Sequence, residues 1–79
     1  LEDVEPLGLA SLEDGALWLA ADARIDGRDA LRRELAARGQ VVHANAPDEI
    51  LILHAYRAWG EACPEHLLGD FAFILWDDR

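Results

Sequence analysis

The sequence predicts a mixed α/β (α+β) domain in the order strand, helix, helix, strand. Three observations carry that prediction. Leu17, Leu19, Ala21, Ala23 and Ile25 alternate with Trp18, Ala20, Asp22 and Arg24, the period-two pattern of a strand. A second run over residues 69–76 places Phe71, Phe73 and Leu75 on one face and Ala72, Ile74 and Trp76 on the other. Between these runs lie two segments of helical character, each stopped by a glycine, Gly39 and Gly60.

In chain order, residues 1–15 carry five acids and no base, and Glu13-Asp14-Gly15 reads as a turn. The first strand covers residues 16–25. Asp26 followed by Asp29 resembles a capping box, so a helix is expected over 27–38, ended by Gly39. Leu31 and Leu35 form its inner stripe, and Glu34 with Arg38 is an i,i+4 pair in the favoured order. Residues 40–43 read as an extended link or short edge strand. The second helix begins near Pro47, with Asp48 and Glu49 suited to its positive end, and stops at Gly60. Its apolar residues go most of the way round, which predicts burial. Residues 61–68 read as a loop, 69–76 as the last strand, and Asp77-Asp78-Arg79 as the start of a turn. Both strands are apolar on two faces and need cover on both.

At 79 residues the chain is one small domain. A chain of this size buries only roughly 60% of its unfolded surface, so its core is marginal. Its 52% hydrophobic content excludes a disordered tail, and its longest apolar run is far too short to span a bilayer. Sixteen acids face seven arginines and no lysine, a net charge of −9. Nucleic acid and anionic membranes need a cationic surface, so neither is expected as a partner. One cysteine, Cys63, excludes an intramolecular disulfide and predicts a reduced, cytoplasmic setting. The chain begins at Leu1 rather than Met and ends at Arg79 just after an apolar run, so a piece of a longer chain is expected.

The residues offer little autonomous chemistry. Cys63 and His66 have C-x2-H spacing, but a zinc site needs about three or four ligands, and His43 and His54 make no second pair. His54 reads as a hydrogen-bonded core residue and Cys63 as a small buried hydrophobe. Asp77-Asp78 point to opposite faces of a strand and converge poorly on one ion. No phosphate-binding glycine loop is present. Asp22 and Arg24 share one strand face near the strand's carboxyl end, where ligands often bind, or they form a local ion pair.

Four ordered strings carry a family resemblance. The segment Leu17-Trp18-Leu19-Ala20-Ala21-Asp22-Ala23-Arg24-Ile25-Asp26-Gly27-Arg28-Asp29-Ala30-Leu31-Arg32 resembles the asparagine synthetase segment centred on N-G-E-I-Y-N-H-x-x-L-R. Pro47-Asp48-Glu49-Ile50-Leu51 is similar, with an offset, to S-D-x-E-V-(I/L), and Tyr56-Arg57-Ala58-Trp59-Gly60 to Y-x-x-W-G. The string from Leu68 to Asp77 is similar to L-x-G-M-F-A-F-A-(I/L)-W-D. The match covers about residues 12–79. It implies a class II glutamine amidotransferase domain, whose fold is the N-terminal-nucleophile hydrolase sandwich of two sheets between helical layers. The whole chain, 1–79, is then part of one such domain, with no second domain.

In that family an N-terminal cysteine attacks the glutamine amide, and ammonia passes to a separate ATP-dependent synthetase domain. In this chain residue 1 is Leu, and the nucleophile's own amine must serve as base. The oxyanion-hole Asn and Gly fall on Asp22 and Ala23; a carboxylate donates no hydrogen bond to a developing oxyanion. The Glu that holds the glutamine amine falls on Arg24, with reversed charge. The family's Ser-Asp falls on Ala46 and Pro47, leaving Asp48 one place out of register and expected to face elsewhere. The glutamine-pocket positions Asp22, Ala23, Arg24 and Pro47 are therefore substituted, no catalytic residue is assigned and no metal site is expected.

The pattern is similar to degenerate members such as β-lactam synthetases and lasso-peptide cyclases, which keep the domain as a platform. The leading expectation is a non-catalytic scaffold that packs on the C-terminal synthetase domain of an ATP-dependent amide ligase. ATP and magnesium are expected only in that domain. The first alternative is part of a working glutamine-hydrolysing asparagine synthetase whose cysteine lies upstream. The second is a small acidic domain that self-associates, a homo-oligomer formed through Trp18, Phe71, Phe73 and Trp76 on its strands.

Overall fold

A computed structural model describes residues 8–12 and 15–78. Three antiparallel strands form one sheet in the order β1 (Gly8–Leu12), β2 (Leu17–Asp26), β3 (Leu68–Asp77). Helices α1 (Arg28–Ala37) and α2 (Asp48–Trp59) lie between β2 and β3 in the chain, and a 3-10 helix at Gly60–His66 leads back to the sheet. The expected order holds from β2 onward, with one strand added in front. β1 has the sequence Gly-Leu-Ala-Ser-Leu, with no aromatic or β-branched residue, so its propensity signal is weak. Pairing with β2, Leu12 opposite Leu17 and Ala10 opposite Leu19, makes it a strand. Of the predicted turn before β2, Glu13 and Asp14 lie outside the described residues, while Gly15 has φ +89°.

The alternation in β2 and β3 sorts their faces as predicted. Leu17, Leu19, Ala21 and Ile25 are buried, and Ala23, Phe71, Phe73 and Leu75 pack against them. Leu31 and Leu35 of α1, with Leu51, Ile52, Leu53 and Ala55 of α2, complete the core. Fully burying each leucine or isoleucine among them contributes roughly 1.5–3 kcal/mol before entropy is counted. The other sheet face carries Trp18 stacked on its cross-strand partner Trp76, ring centroids 6.4 Å apart. Leu9 (63% exposed), Ile74 (67%) and Trp76 (41%) stand open on it. Among the described residues, one face of the sheet therefore has its cover and the other does not. Phe71 and Phe73 lie on the covered face and Trp18 and Trp76 on the open one, so the four residues named for self-association stand on opposite faces of the sheet.

The helix ends depart from expectation in instructive ways. Asp26 does not cap α1: it is the last residue of β2, opposite Leu68, and its carboxylate accepts from Arg24. Gly27 stands at the cap position instead, with no side-chain hydrogen bond. The C-terminus follows its prediction. Gly39 N–H donates to Ala36 O and Gln40 N–H to Leu35 O, the paired bonds of a Schellman motif. Arg38 does not pair with Glu34; its guanidinium lies over the Trp59 ring, 5.3 Å from the centroid. Residues 40–43 form no strand. Buried Val42 and the bond from Arg32 Nε to Val42 O at 2.9 Å hold them down. Pro47 is the cap of α2 rather than its first turn, and its carbonyl accepts from Ile50 N at 3.0 Å. Asp77 belongs to β3, not to a turn, and Tyr56 Oη donates to its carboxylate at 3.4 Å.

Candidate functional site

The four predicted pocket positions do not converge. On β2, alternation sends Asp22 and Arg24 to the open face and Ala23 to the covered one. Asp22 is exposed and borders a depression of about 370 Å³ with Ala20, Ala72 and Ile74. Ala23 is half-buried opposite Phe71. The expected Asp22–Arg24 pair does not form. Arg24 Nη2 donates instead to Asp26 at 3.3 Å and to Asp70, across the strand pair, at 3.0 Å. All three side chains are more than half exposed, so these pairs are worth about 0–1 kcal/mol each. Pro47 is exposed at the start of α2.

The residue that does reach β2 is Asp48, expected to face elsewhere. Its Oδ2 accepts from the backbone N–H of Ile25 at 3.1 Å. Its Oδ1 takes Arg28 Nη1 in a close ion pair. Arg28 Nη2 donates to Ala46 O and, at 3.2 Å, to Ala44 O. Thus one guanidinium ties the carboxylate, the loop before α2 and the end of β2 together. Sequence reasoning missed Arg28 in this role, because its partner is 20 positions away. The available signal was an arginine at the start of one helix and an unmatched aspartate at the start of the next.

The remaining polar groups are structural. His54 Nδ1 contacts Gln40 Oε1 at 2.8 Å, and burial, with Arg57 nearby, lowers its pKa below the ordinary 6.5. Cys63 is buried, and that burial pushes its thiol pKa up, away from nucleophilic use. It borders a cleft of about 350 Å³ with Tyr56, Phe73, Leu75 and Asp77, remote in sequence from the predicted pocket positions. His66 does not join Cys63; its ring stacks on Trp59, centroids 3.9 Å apart. Among the described residues no group of three His, Cys, Asp or Glu side chains is placed to hold a metal ion.

Three antiparallel strands backed on one face by two helices make a small α+β unit, consistent with part of an N-terminal-nucleophile hydrolase sandwich. Residues 3–79 match the glutamine amidotransferase domain family, and the chain belongs to it. It is 47% identical over 49 residues to glutamine-hydrolyzing asparagine synthetase 3 of Bacillus subtilis (strain 168), covering 62% of this chain and 8% of that protein. It is 34% identical over 67 residues to glutamine-hydrolyzing asparagine synthetase 1 of the same organism, covering 85% of this chain and 10% of that protein. The chain thus spans about a tenth of the length of these curated relatives. No solved structure gives a significant match.

Proposed function

We propose that this amidotransferase domain no longer hydrolyses glutamine and serves as a scaffold for an ATP-dependent, amide-forming synthetase domain of the same protein. ATP and magnesium act in that partner domain, which this domain supports by packing. The observation that carries the reading is Arg24. It stands where the family resemblance puts the carboxylate for the glutamine amine, and its guanidinium is tied to Asp70 and Asp26. Arg24 offers no acceptor to the substrate's ammonium, since a guanidinium only donates. Asp22 adds to the same reading: a carboxylate at an oxyanion-hole position opposes the charge it should stabilise.

The test is an amide NMR titration of the chain with L-glutamine. A well-dispersed spectrum that stays unchanged at high glutamine is the expected result. Saturable shifts near Asp22, Ala23 or Pro47 overturn it. A second reading, a working glutamine-dependent synthetase, is favoured by the names of the relatives, both glutamine-hydrolyzing. Ammonia release from glutamine by the intact protein would establish that reading in place of the first.

A further inference from the structure

We infer that Arg28 fills a built cation cradle and keeps any ligand amine away from Asp48. The inference goes beyond the proposed function and rests on the geometry around Asp48. Three acceptors meet on one guanidinium: Asp48 Oδ1, Ala46 O and Ala44 O. Nη1 meets the carboxylate and Nη2 the two carbonyls, so a small free guanidinium has the same acceptors open to it, and a primary ammonium has three N–H donors to share among them.

Removing Arg28 would leave this cradle standing, for reasons independent of Arg28. Asp48 Oδ2 is pinned by the Ile25 N–H at 3.1 Å. Asp48 is the first residue of α2, where the helix end stabilises an anion. The carbonyl of Ala44 belongs to a short loop anchored by its own bonds, Ala46 N to His43 O at 3.0 Å and Asn45 N to His43 Nδ1 at 3.1 Å. Arg28 itself extends from the first turn of α1, so its cation is intramolecular and is present at high effective concentration. A free amine cannot compete with it. The half-buried setting of the pair, with side chains 31% and 23% exposed, distinguishes it from the open Arg24 pairs.

Arg28→Ala should therefore create a binding site for small guanidinium or alkylammonium ions. The experiment compares thermal midpoints of the wild-type chain, Arg28→Ala and Arg28→Ala/Asp48→Asn. Each is measured in methylguanidinium chloride, methylammonium chloride and sodium chloride at equal ionic strength. The expected result is a lower midpoint for Arg28→Ala that recovers saturably with either organic cation and not with sodium. Wild type and the double variant should show no such recovery. A folded Arg28→Ala that responds alike to all three salts overturns the inference. Should Arg28→Ala not fold in buffer, folding restored by methylguanidinium and not by sodium supports the cradle, and no restoration overturns it. Glutamine binding by the wild-type chain would overturn the proposed function itself; absent rescue overturns only the role of Arg28.

Discussion

Arg24 and Arg28 are four residues apart and meet opposite fates. Arg24 is on a strand, on the open sheet face, and its carboxylate partners are solvated. Arg28 starts a helix on the covered side and is bonded to a half-buried carboxylate and two carbonyls. Water screening makes the first replaceable and the second structural. His54 makes the same point through its proton. Burial lowers its folded pKa below 6.5, so the unfolded chain binds the proton more readily. Stability is then retained above pH 6.5 and lost as the pH falls through that value toward the folded pKa. We expect the thermal midpoint to drop between pH 7 and pH 5.5, and His54→Gln to drop less over the same interval. Equal slopes for both would show that His54 carries no part of the acid sensitivity.

At the scale of elements, two glycines with positive φ differ in what surrounds them. Gly39, at φ +84°, ends α1 with nothing within 4 Å of where a Cβ would lie. Gly39→Ala should cost only the left-handed backbone penalty, about 1–2 kcal/mol. Gly69, at φ +123°, is the second residue of β3 and pairs with Ile25 of β2. A Cβ there would stand 2.1 Å from the Arg24 carbonyl oxygen, a backbone atom with no room to swing aside. Gly69→Ala should cost well beyond about 1–3 kcal/mol, since displacement of the strand adds to the backbone strain. Denaturant midpoints measure both, and a smaller loss at Gly69 than at Gly39 would contradict the pairing of Gly69 with Ile25. β1 shows the reverse dependence, an element of weak propensity made a strand by the neighbour it pairs with.

For the whole molecule, the governing quantities are a net charge of −9 and a body of 41 × 29 × 22 Å. At 0.01 M salt the Debye length is about 30 Å, so charges repel across most of this span. At about 0.15 M it is about 8 Å, and only neighbours interact. The exposed ion pairs lose little on screening because they contribute little. The thermal midpoint should therefore rise as sodium chloride goes from about 10 to about 150 mM. A fall would mean that the Arg–Asp pairs outweigh the repulsion. Among the described residues the body is one-sided, with its helices on one face of the sheet and Ile74 and Trp76 open on the other.

Local pattern was enough for much of this. Period-two alternation placed the two faces of β2 and β3, because a strand sends successive side chains to opposite sides whatever lies beyond. Gly39 and Gly60 marked the helix ends, since few other residues tolerate the backbone needed there. Contacts between distant residues decided the rest. β1 exists through its ladder with β2, and Asp26 is held in a ladder rather than capping a helix. Arg38 leaves Glu34 for the Trp59 ring, and Asp48 turns back to Ile25 and Arg28 across 20 or more residues. Sequence by itself determined what depends on a residue and its near neighbours. Only the tertiary structure decided which of several chemically adequate partners each polar group meets, because that choice depends on distances the chain sets only when folded.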